Sequence, residues 1–64
     1  MTALRRLRLR TGYDMTDFAQ LVGVKYDRYK GWEVGDCRPP LHLRLRLARL
    51  LTAMLGVRVR AGDL

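Results

Sequence analysis

The chain has 64 residues, among which 13 Lys and Arg outnumber 6 Asp and Glu for a net charge of +7. This length predicts a single domain over residues 1–64 with a small core, because such a chain buries only about 60% of its unfolded surface. No apolar run approaches the roughly 20 residues that cross a membrane, and the single cysteine, Cys37, excludes an internal disulfide. We therefore expect a cytoplasmic domain whose charge suits a polyanion, of which nucleic acid is the commonest.

Capping signals predict four helices. Thr2 and Asp14 are good N-cap residues, because their side-chain oxygens can accept hydrogen bonds from the free N–H groups of a first helical turn. Pro39 and Pro40 can begin a helix, because the backbone N–H that proline lacks is not hydrogen-bonded in a first helical turn. Glycine can take the left-handed conformation that ends a helix. These signals predict helices over residues 3–11, 15–22, 26–34 and 41–55. The residues that end them are Gly12, Gly23, Gly35 and Gly56.

The fourth segment could form a strand or a helix, because its leucines alternate with His42, Arg44 and Arg46. Leu and Arg are good helix formers, however, and the segment has no β-branched residue before Thr52. We therefore predict a helix with two apolar stripes. The first contains Leu41, Leu45, Ala48 and Leu55, and the second contains Leu43, Leu47, Leu50 and Met54.

Residues 15–34 combine small, glycine and apolar positions at the spacing of two crossing helices. Ala19 is small enough for a second helix to cross it closely, and Gly23 permits a sharp turn after the first helix. A pair of this kind is a helix-turn-helix, whose second helix enters the DNA major groove. The apolar seam between the helices would come from Phe18, Leu21 or Val22, Val24, Tyr29 and Trp32.

Residues outside the two-helix motif also follow a known family pattern, in the first helix, the loop after the third helix, and the fourth helix. They are Leu7-Arg8 with Gly12, Trp32-Glu33 with Gly35 and Pro39, and Leu41, Leu45, Leu47, Ala48 and Leu51. In these positions the chain resembles the phage Cro and repressor family of helix-turn-helix proteins, with its xenobiotic-response-element-like domains, over about residues 4–57. The resemblance implies an all-α, compact lambda-repressor-like domain of four to five helices. The alternating Val57-Arg58-Val59-Arg60 adds a short C-terminal strand as a further expectation.

Three features depart from the family pattern. The family usually has Gln at the position of Met15, and a Ser or Thr cap at the position of Lys25. Met15 can still offer its backbone amide. Lysine does not cap and is unfavourable at a helix N-terminus, which Asp27 can offset. The fourth helix is also about one turn longer than usual.

The motif implies two sets of DNA contacts. The outward positions of the third helix would read bases, and they are Lys25, Tyr26, Asp27, Lys30 and Gly31. The residues that would meet phosphates are Met15, Arg10, Arg28 and Arg38. Asp27 can accept a hydrogen bond from cytosine N4 or act on the helix dipole. Gly31 can allow the backbone to approach DNA closely or be merely tolerated. The resemblance also pairs Arg8 with Glu33, which would otherwise be an unpaired buried carboxylate.

The C-terminal third is expected to form the interface between two copies of the protein. A domain of this size can hardly bury both stripes of the fourth helix, and a second copy could cover the spare one. We therefore expect a homodimer whose interface contains Leu43, Leu47, Leu50, Met54, Val57 and Val59. In the alternative arrangement, the terminal segment folds back over the stripe and leaves a monomer that pairs only on DNA.

Two functions from different classes are open. The first is a sequence-specific double-stranded DNA-binding transcription regulator, expected to be a repressor. The alternative is a protein-interaction adaptor or antitoxin-like module on the same scaffold, which Met15, Asp27 and the leucine-rich fourth helix favour. We expect no enzyme, because His42 and Cys37 are alone of their types and no carboxylate pair, metal-ligand cluster or phosphate loop accompanies them. No cofactor, metal, membrane or small-molecule ligand is expected either.

Overall fold

The fold consists of four α-helices, which follow the chain in the predicted order. In the computed structural model, which describes all 64 residues, they are α1 (Ala3–Thr11), α2 (Met15–Val22), α3 (Tyr26–Val34) and α4 (Leu41–Leu55). A single 3₁₀ turn, Ala61–Asp63, follows. The expected all-α class is confirmed, and no strand is present. None of these helices combines the length and apolarity that crossing a bilayer requires.

Side-chain caps explain where the first two helices begin. The Thr2 hydroxyl accepts a hydrogen bond from the N–H of Arg5 at 3.2 Å, and the Asp14 carboxylate accepts one from the N–H of Asp17 at 2.8 Å. Each bond satisfies one of the N–H groups that a first helical turn leaves free. α3 begins after Lys25, whose side chain makes no capping bond, as its residue type predicts.

The four helices enclose one core. α2 packs on α3, α1 packs on α3 and α4, and α4 also packs on α2 and on the C-terminal turn. The Tyr29 ring lies 5.6 Å from the Phe18 ring and 6.0 Å from the Trp32 ring, in tilted and edge-on geometries that aromatic pairs favour. Of the two seam candidates on α2, Val22 is buried and Leu21 is exposed. The core also contains Leu4, Ala19, Leu43, Leu47, Ala48, Leu51 and Val59.

The rotation of α4 about its own axis contradicts part of the predicted dimer interface. Leu43, Leu47 and Val59 lie inside the core of the monomer, and Leu50 and Met54 are partly buried against it. Side chains that fill this closely packed core cannot also form a seam with a second copy. The predicted interface is therefore wrong at Leu43, Leu47 and Val59, and it stays a prediction at Leu50, Met54 and Val57. The first stripe supplies the large exposed apolar residues of the helix instead, namely Leu41 and Leu45.

Residues 57–60 do not form the predicted strand. The Thr52 hydroxyl on α4 accepts a hydrogen bond from the N–H of Val59 at 2.9 Å and donates one to the carbonyl of Val59 at 3.3 Å. An α4 side chain thus binds the backbone groups that a strand would offer to a neighbouring strand. The segment folds back along α4, which buries Val59 and leaves Val57 exposed. This is the intramolecular arrangement that the sequence left open as the alternative to a dimer.

A cleft of about 440 Å³ separates the two ends of the chain from the loop between α3 and α4. Residues 2–4 and Leu64 line it from one side, and loop residues 35–39 line it from the other. Arg38 Nε donates a hydrogen bond to the carbonyl of Leu64 at 3.2 Å. The Thr2 hydroxyl donates one to the carbonyl of Glu33 at 2.8 Å. Both ends of the chain therefore meet the region where α3 ends.

Candidate nucleic-acid interface

A three-residue turn, residues 23–25, joins α2 to α3. Gly23 has a φ of +86°, a left-handed conformation that glycine adopts without strain. The N–H groups of Gly23 and Val24 both donate to the carbonyl of Ala19, at 2.9 and 3.0 Å. Ala19 is almost completely buried, as expected where two helices cross closely. The glycine and the alanine therefore have the structural roles that their spacing predicts.

An arginine from α4 secures the end of α2. Arg46 Nη1 donates a hydrogen bond at 2.9 Å to the carbonyl of Val22, one of the acceptors that a helix leaves free at its C-terminus. A cation at this end also interacts favourably with the negative pole of the helix dipole. Sequence reasoning missed this contact, because no spacing or motif connects residues 22 and 46.

The solvent face of α3 and its cap carries four of the five predicted base-reading residues. They are Lys25, Tyr26, Asp27 and Lys30, all of which are exposed. The opposite face, with Tyr29, Trp32 and Glu33, is buried in the core. The exposed face thus presents ammonium, phenol and carboxylate groups, which include both donors and acceptors of hydrogen bonds.

The N-termini of both helices add free backbone donors. Because Lys25 provides no side-chain cap, the N–H groups of residues 26–28 have no acceptor within the protein. On α2, Asp14 binds the N–H of Asp17 and leaves that of Met15, the predicted phosphate donor, unbound. Free N–H groups at the positive end of a helix dipole favour an anion.

Gly31 is less exposed than the other four predicted base-reading residues, and its role in DNA binding stays a prediction. The residue is partly buried, and a Cβ on it would lie 3.3 Å from Cys37 Sγ. Its carbonyl accepts hydrogen bonds from the N–H groups of Asp36 at 3.0 Å and Cys37 at 3.4 Å. The loop after α3 therefore folds over this glycine, and Cys37 lies beside the position that a Cβ would take.

The predicted phosphate-binding arginines lie on three different elements. Arg28 is on α3, where its guanidinium lies over the Trp32 ring, 5.5 Å from the centroid. This cation–π contact orients an otherwise exposed charge. Arg10 is exposed on α1, and Arg38 is held in the loop by its hydrogen bond to the last carbonyl of the chain. The structure therefore brings Arg28, but not the other two arginines, onto the same helix as Lys30.

A buried ion pair fixes α3 to α1. Arg8 Nε lies 2.6 Å from Glu33 Oε2 and Arg8 Nη2 lies 3.1 Å from Glu33 Oε1, so the two groups form parallel hydrogen bonds. Arg8 Nη1 also donates to the carbonyl of Tyr13 at 2.8 Å. The hydrogen bond to Glu33 raises the pKa of Arg8, although burial opposes the charge. The pair implied by the resemblance is present, and both of its charges are occupied within the protein.

The Tyr29 hydroxyl lies buried near this ion pair. Its oxygen has no hydrogen-bond partner within the protein. Burial, and then the neighbouring Glu33 carboxylate, raise the pKa of Tyr29 well above its ordinary value of 10.0. The phenol is therefore a neutral group that fills the core on the buried face of α3.

Comparison with known proteins adds no family. The chain has no significant match among protein-family models, curated proteins or solved structures. No cluster of three or more His, Cys, Asp or Glu side chains could hold a metal ion. The resemblance to Cro and repressor proteins therefore depends on the motif residues alone, and it enters the following section as a proposal.

Proposed function

We propose that the protein is a sequence-specific double-stranded DNA-binding transcription regulator, built as a lambda-repressor-like helix-turn-helix domain. The observation that carries the proposal is the solvent face of α3, where four polar side chains stand beside an uncapped helix N-terminus. An α-helix fits the width of the major groove, and free N–H groups at its start suit phosphate oxygens. The net charge of +7 favours the same partner. Repression is the mode of regulation we propose.

The first turn of α3 would read bases. Tyr26 can pack against a thymine methyl or donate its hydroxyl, and Asp27 can accept a hydrogen bond from cytosine N4. Lys30, one turn further along, can meet guanine, although a phosphate suits a flexible ammonium better. A carboxylate in a phosphate-lined groove repels the backbone, so Asp27 would also disfavour sites that lack a cytosine partner.

Phosphate contacts would hold this helix in register. Arg28, oriented by the Trp32 ring, and the Met15 N–H at the start of α2 flank the base-reading turn in the motif. Arg10 and Arg38 are proposed as outer contacts from α1 and the loop. Such contacts supply affinity without sequence information, because every base pair carries the same phosphates.

The position of α3 is set by two residues that bind its C-terminal turn. Glu33 binds Arg8 of α1 through its side chain and Thr2 through its carbonyl. Base reading requires side chains that stay close to their productive positions. A helix fixed by a buried bidentate pair meets this requirement better than one held by apolar packing alone.

We propose further that the protein reaches DNA as a monomer and that two copies pair only there. Leu43 and Leu47 of the second stripe, which could have formed a dimer seam, lie in the core of one copy, and Leu50 and Met54 pack partly buried against it. Two α3 helices would then occupy successive major grooves about 34 Å apart.

Selection of sites from a random duplex library tests the DNA-binding proposal. We expect one enriched motif, with Tyr26→Ala and Asp27→Ala changing the ranking of sites in gel shifts. Asp36→Ala is the control matched in charge to Asp27→Ala, because Asp36 is exposed in the loop after α3 and outside the proposed contacts. Failure to enrich any motif would contradict the proposal. So would an Asp27→Ala protein with unchanged ranking and affinity.

A further inference from the structure

A second surface of the protein has the features of a binding site. A groove of about 550 Å³ runs along the solvent side of α4, between the helix and the returning C-terminal segment. Alkyl side chains form its floor, and they are Leu45, Ala48, Ala53, Val59 and Ala61. The two hydrogen bonds between Thr52 and Val59 hold the segment in place, so the groove does not depend on a partner to form.

The rim of this groove is strongly basic. Arg49 on α4 and Arg58 and Arg60 on the segment line it, and all three are exposed. None of them forms an ion pair, and no carboxylate lines the groove. Asp63, the nearest acidic residue along the chain, accepts the N–H of Arg60 at 3.2 Å and faces the cleft at the chain ends instead.

We propose that this groove binds an acidic, amphipathic segment of a partner protein. One or two apolar side chains of the partner would cover the floor, where Leu45 is 47% exposed. Burial of such a residue is favourable because it removes apolar surface from water. Carboxylates beside these apolar residues would meet Arg49, Arg58 and Arg60, whose planar guanidinium groups match a carboxylate with two parallel hydrogen bonds.

Charge disfavours a second copy of the chain as the occupant. A two-fold interface brings the same patch of both copies together, which would set the three rim arginines of one copy against those of the other. Like charges at an interface suppress association. Nucleic acid fits the rim but not the floor, because phosphates and sugars gain nothing from an alkyl surface and bind through hydrogen bonds.

The groove and the proposed DNA-reading face are separate surfaces. The groove is built by α4 and residues 58–61, whereas α3 packs on α1 and α2 and contributes no residue to it. The inference therefore goes beyond DNA binding and does not require it. A partner in the groove could bind while α3 is occupied.

Fluorescence anisotropy with labelled synthetic peptides tests the proposal. The probes are about 14 residues long, enough for a short helix or strand, and consist of Glu around two Leu residues at i,i+2 or i,i+4 spacing. Matched control peptides carry Gln in place of Glu, or Ser in place of Leu. We expect saturable binding of at least one acidic probe and a loss of about tenfold or more with each control.

Protein variants then locate the site. We expect Arg49→Ala/Arg60→Ala to weaken binding about tenfold or more, and Arg5→Ala/Arg6→Ala to weaken it less than about twofold. The two double variants have the same net charge, because each removes two exposed arginines. Circular-dichroism melts check that both remain folded. Amide chemical shifts should move on α4 and residues 58–61 and not on α3.

Several results would overturn the inference. These are the absence of binding tighter than about 1 mM by every acidic probe, equal losses in the two double variants, and shifts confined to α3. Competition by duplex DNA for shifts in the groove would assign it to nucleic acid. Self-association that Arg49→Ala/Arg60→Ala changes would assign it to a second copy. A positive peptide result is independent of whether the selected DNA motif exists, so the two proposals can fail separately.

Discussion

Cys37 packs so closely against Gly31 that a Cβ on the glycine would lie 3.3 Å from the sulfur atom. The contact joins the loop after α3 to the helix before it. A glycine inside a helix is about 1 kcal/mol less favourable than alanine. The chain tolerates that cost at a place where a loop side chain lies beside the position of the missing Cβ.

We expect Gly31→Ala to leave the free energy of unfolding unchanged or raise it by up to about 1 kcal/mol. Alanine favours the helix, and the Cys37 side chain lies in an exposed loop where it can turn aside. The increase should be largest in a Cys37→Ala background, as denaturant unfolding can measure. A folded Gly31→Ala protein with more than about tenfold weaker DNA binding would support the prediction that DNA approaches this glycine.

The Arg8–Glu33 pair should couple strongly in stability. Arg8→Met or Glu33→Gln should each lower the free energy of unfolding by about 3 to 5 kcal/mol, because each strands a buried partner. The double variant should lose much less than the sum, since it leaves no unpaired buried charge. Thermal melts of the three variants complete the cycle. Additive losses would mean that the two residues do not interact.

Tyr29 should make the protein less stable in alkali. Its pKa is raised on folding, so above pH 10 the unfolded chain releases a phenol proton that the folded protein retains. The unfolded state then binds fewer protons, and the free energy of unfolding falls with rising pH by up to about 1.4 kcal/mol per pH unit.

Tyr29→Phe is the control for this pH dependence. It removes a hydroxyl that has no hydrogen-bond partner, so stability at neutral pH should stay within about 1 kcal/mol of wild type. Above pH 10 its stability should fall less steeply than that of wild type in denaturant titrations. Identical slopes for the two proteins would contradict the assignment to Tyr29.

Two leucines on α4 should respond oppositely to a charge. Leu47 is fully buried, so Leu47→Glu should prevent folding, whereas Leu45 is 47% exposed and Leu45→Glu should leave the fold intact. Sedimentation should find wild type and Leu45→Glu to be monomeric at tens of micromolar. A wild-type dimer that Leu45→Glu dissociates would place a self-association surface on the first stripe.

DNA affinity should fall steeply with salt. If each of two copies meets about four to six phosphates, the slope of log affinity against log salt should be near −7 to −11. Arg28→Ala should reduce the slope and weaken all sequences alike, because a phosphate contact carries no sequence information. Binding that does not respond to salt would contradict the proposed interface.

The helix boundaries could be predicted because they are set locally. Thr2 and Asp14 act through hydrogen bonds three residues away, and Gly23 acts through its own backbone conformation. The Arg8–Glu33 pair came from a resemblance and not from spacing, since 25 residues separate its members.

The errors concern contacts between distant parts of the chain. The stripes of α4 were both visible in the sequence, but the side that faces the core depends on how α1 and α2 pack against it. The alternation of residues 57–60 resembled a strand, yet the Thr52 hydroxyl satisfies Val59 instead. The contact between Gly31 and Cys37, which the sequence did not predict, depends on the path of a loop that no local pattern determines.

The two chain ends line one side of the same cleft, which makes the fold suitable for circular permutation. Thr2 and Leu64 line the same cleft, so a short linker could join the first residue to the last. The ring could then be reopened at an exposed turn such as Gly12. The permuted chain would begin with α2 and end with α1, while Arg8 still met Glu33. Its folding would show that the contacts between the helices determine the architecture, whatever the order of the helices along the chain.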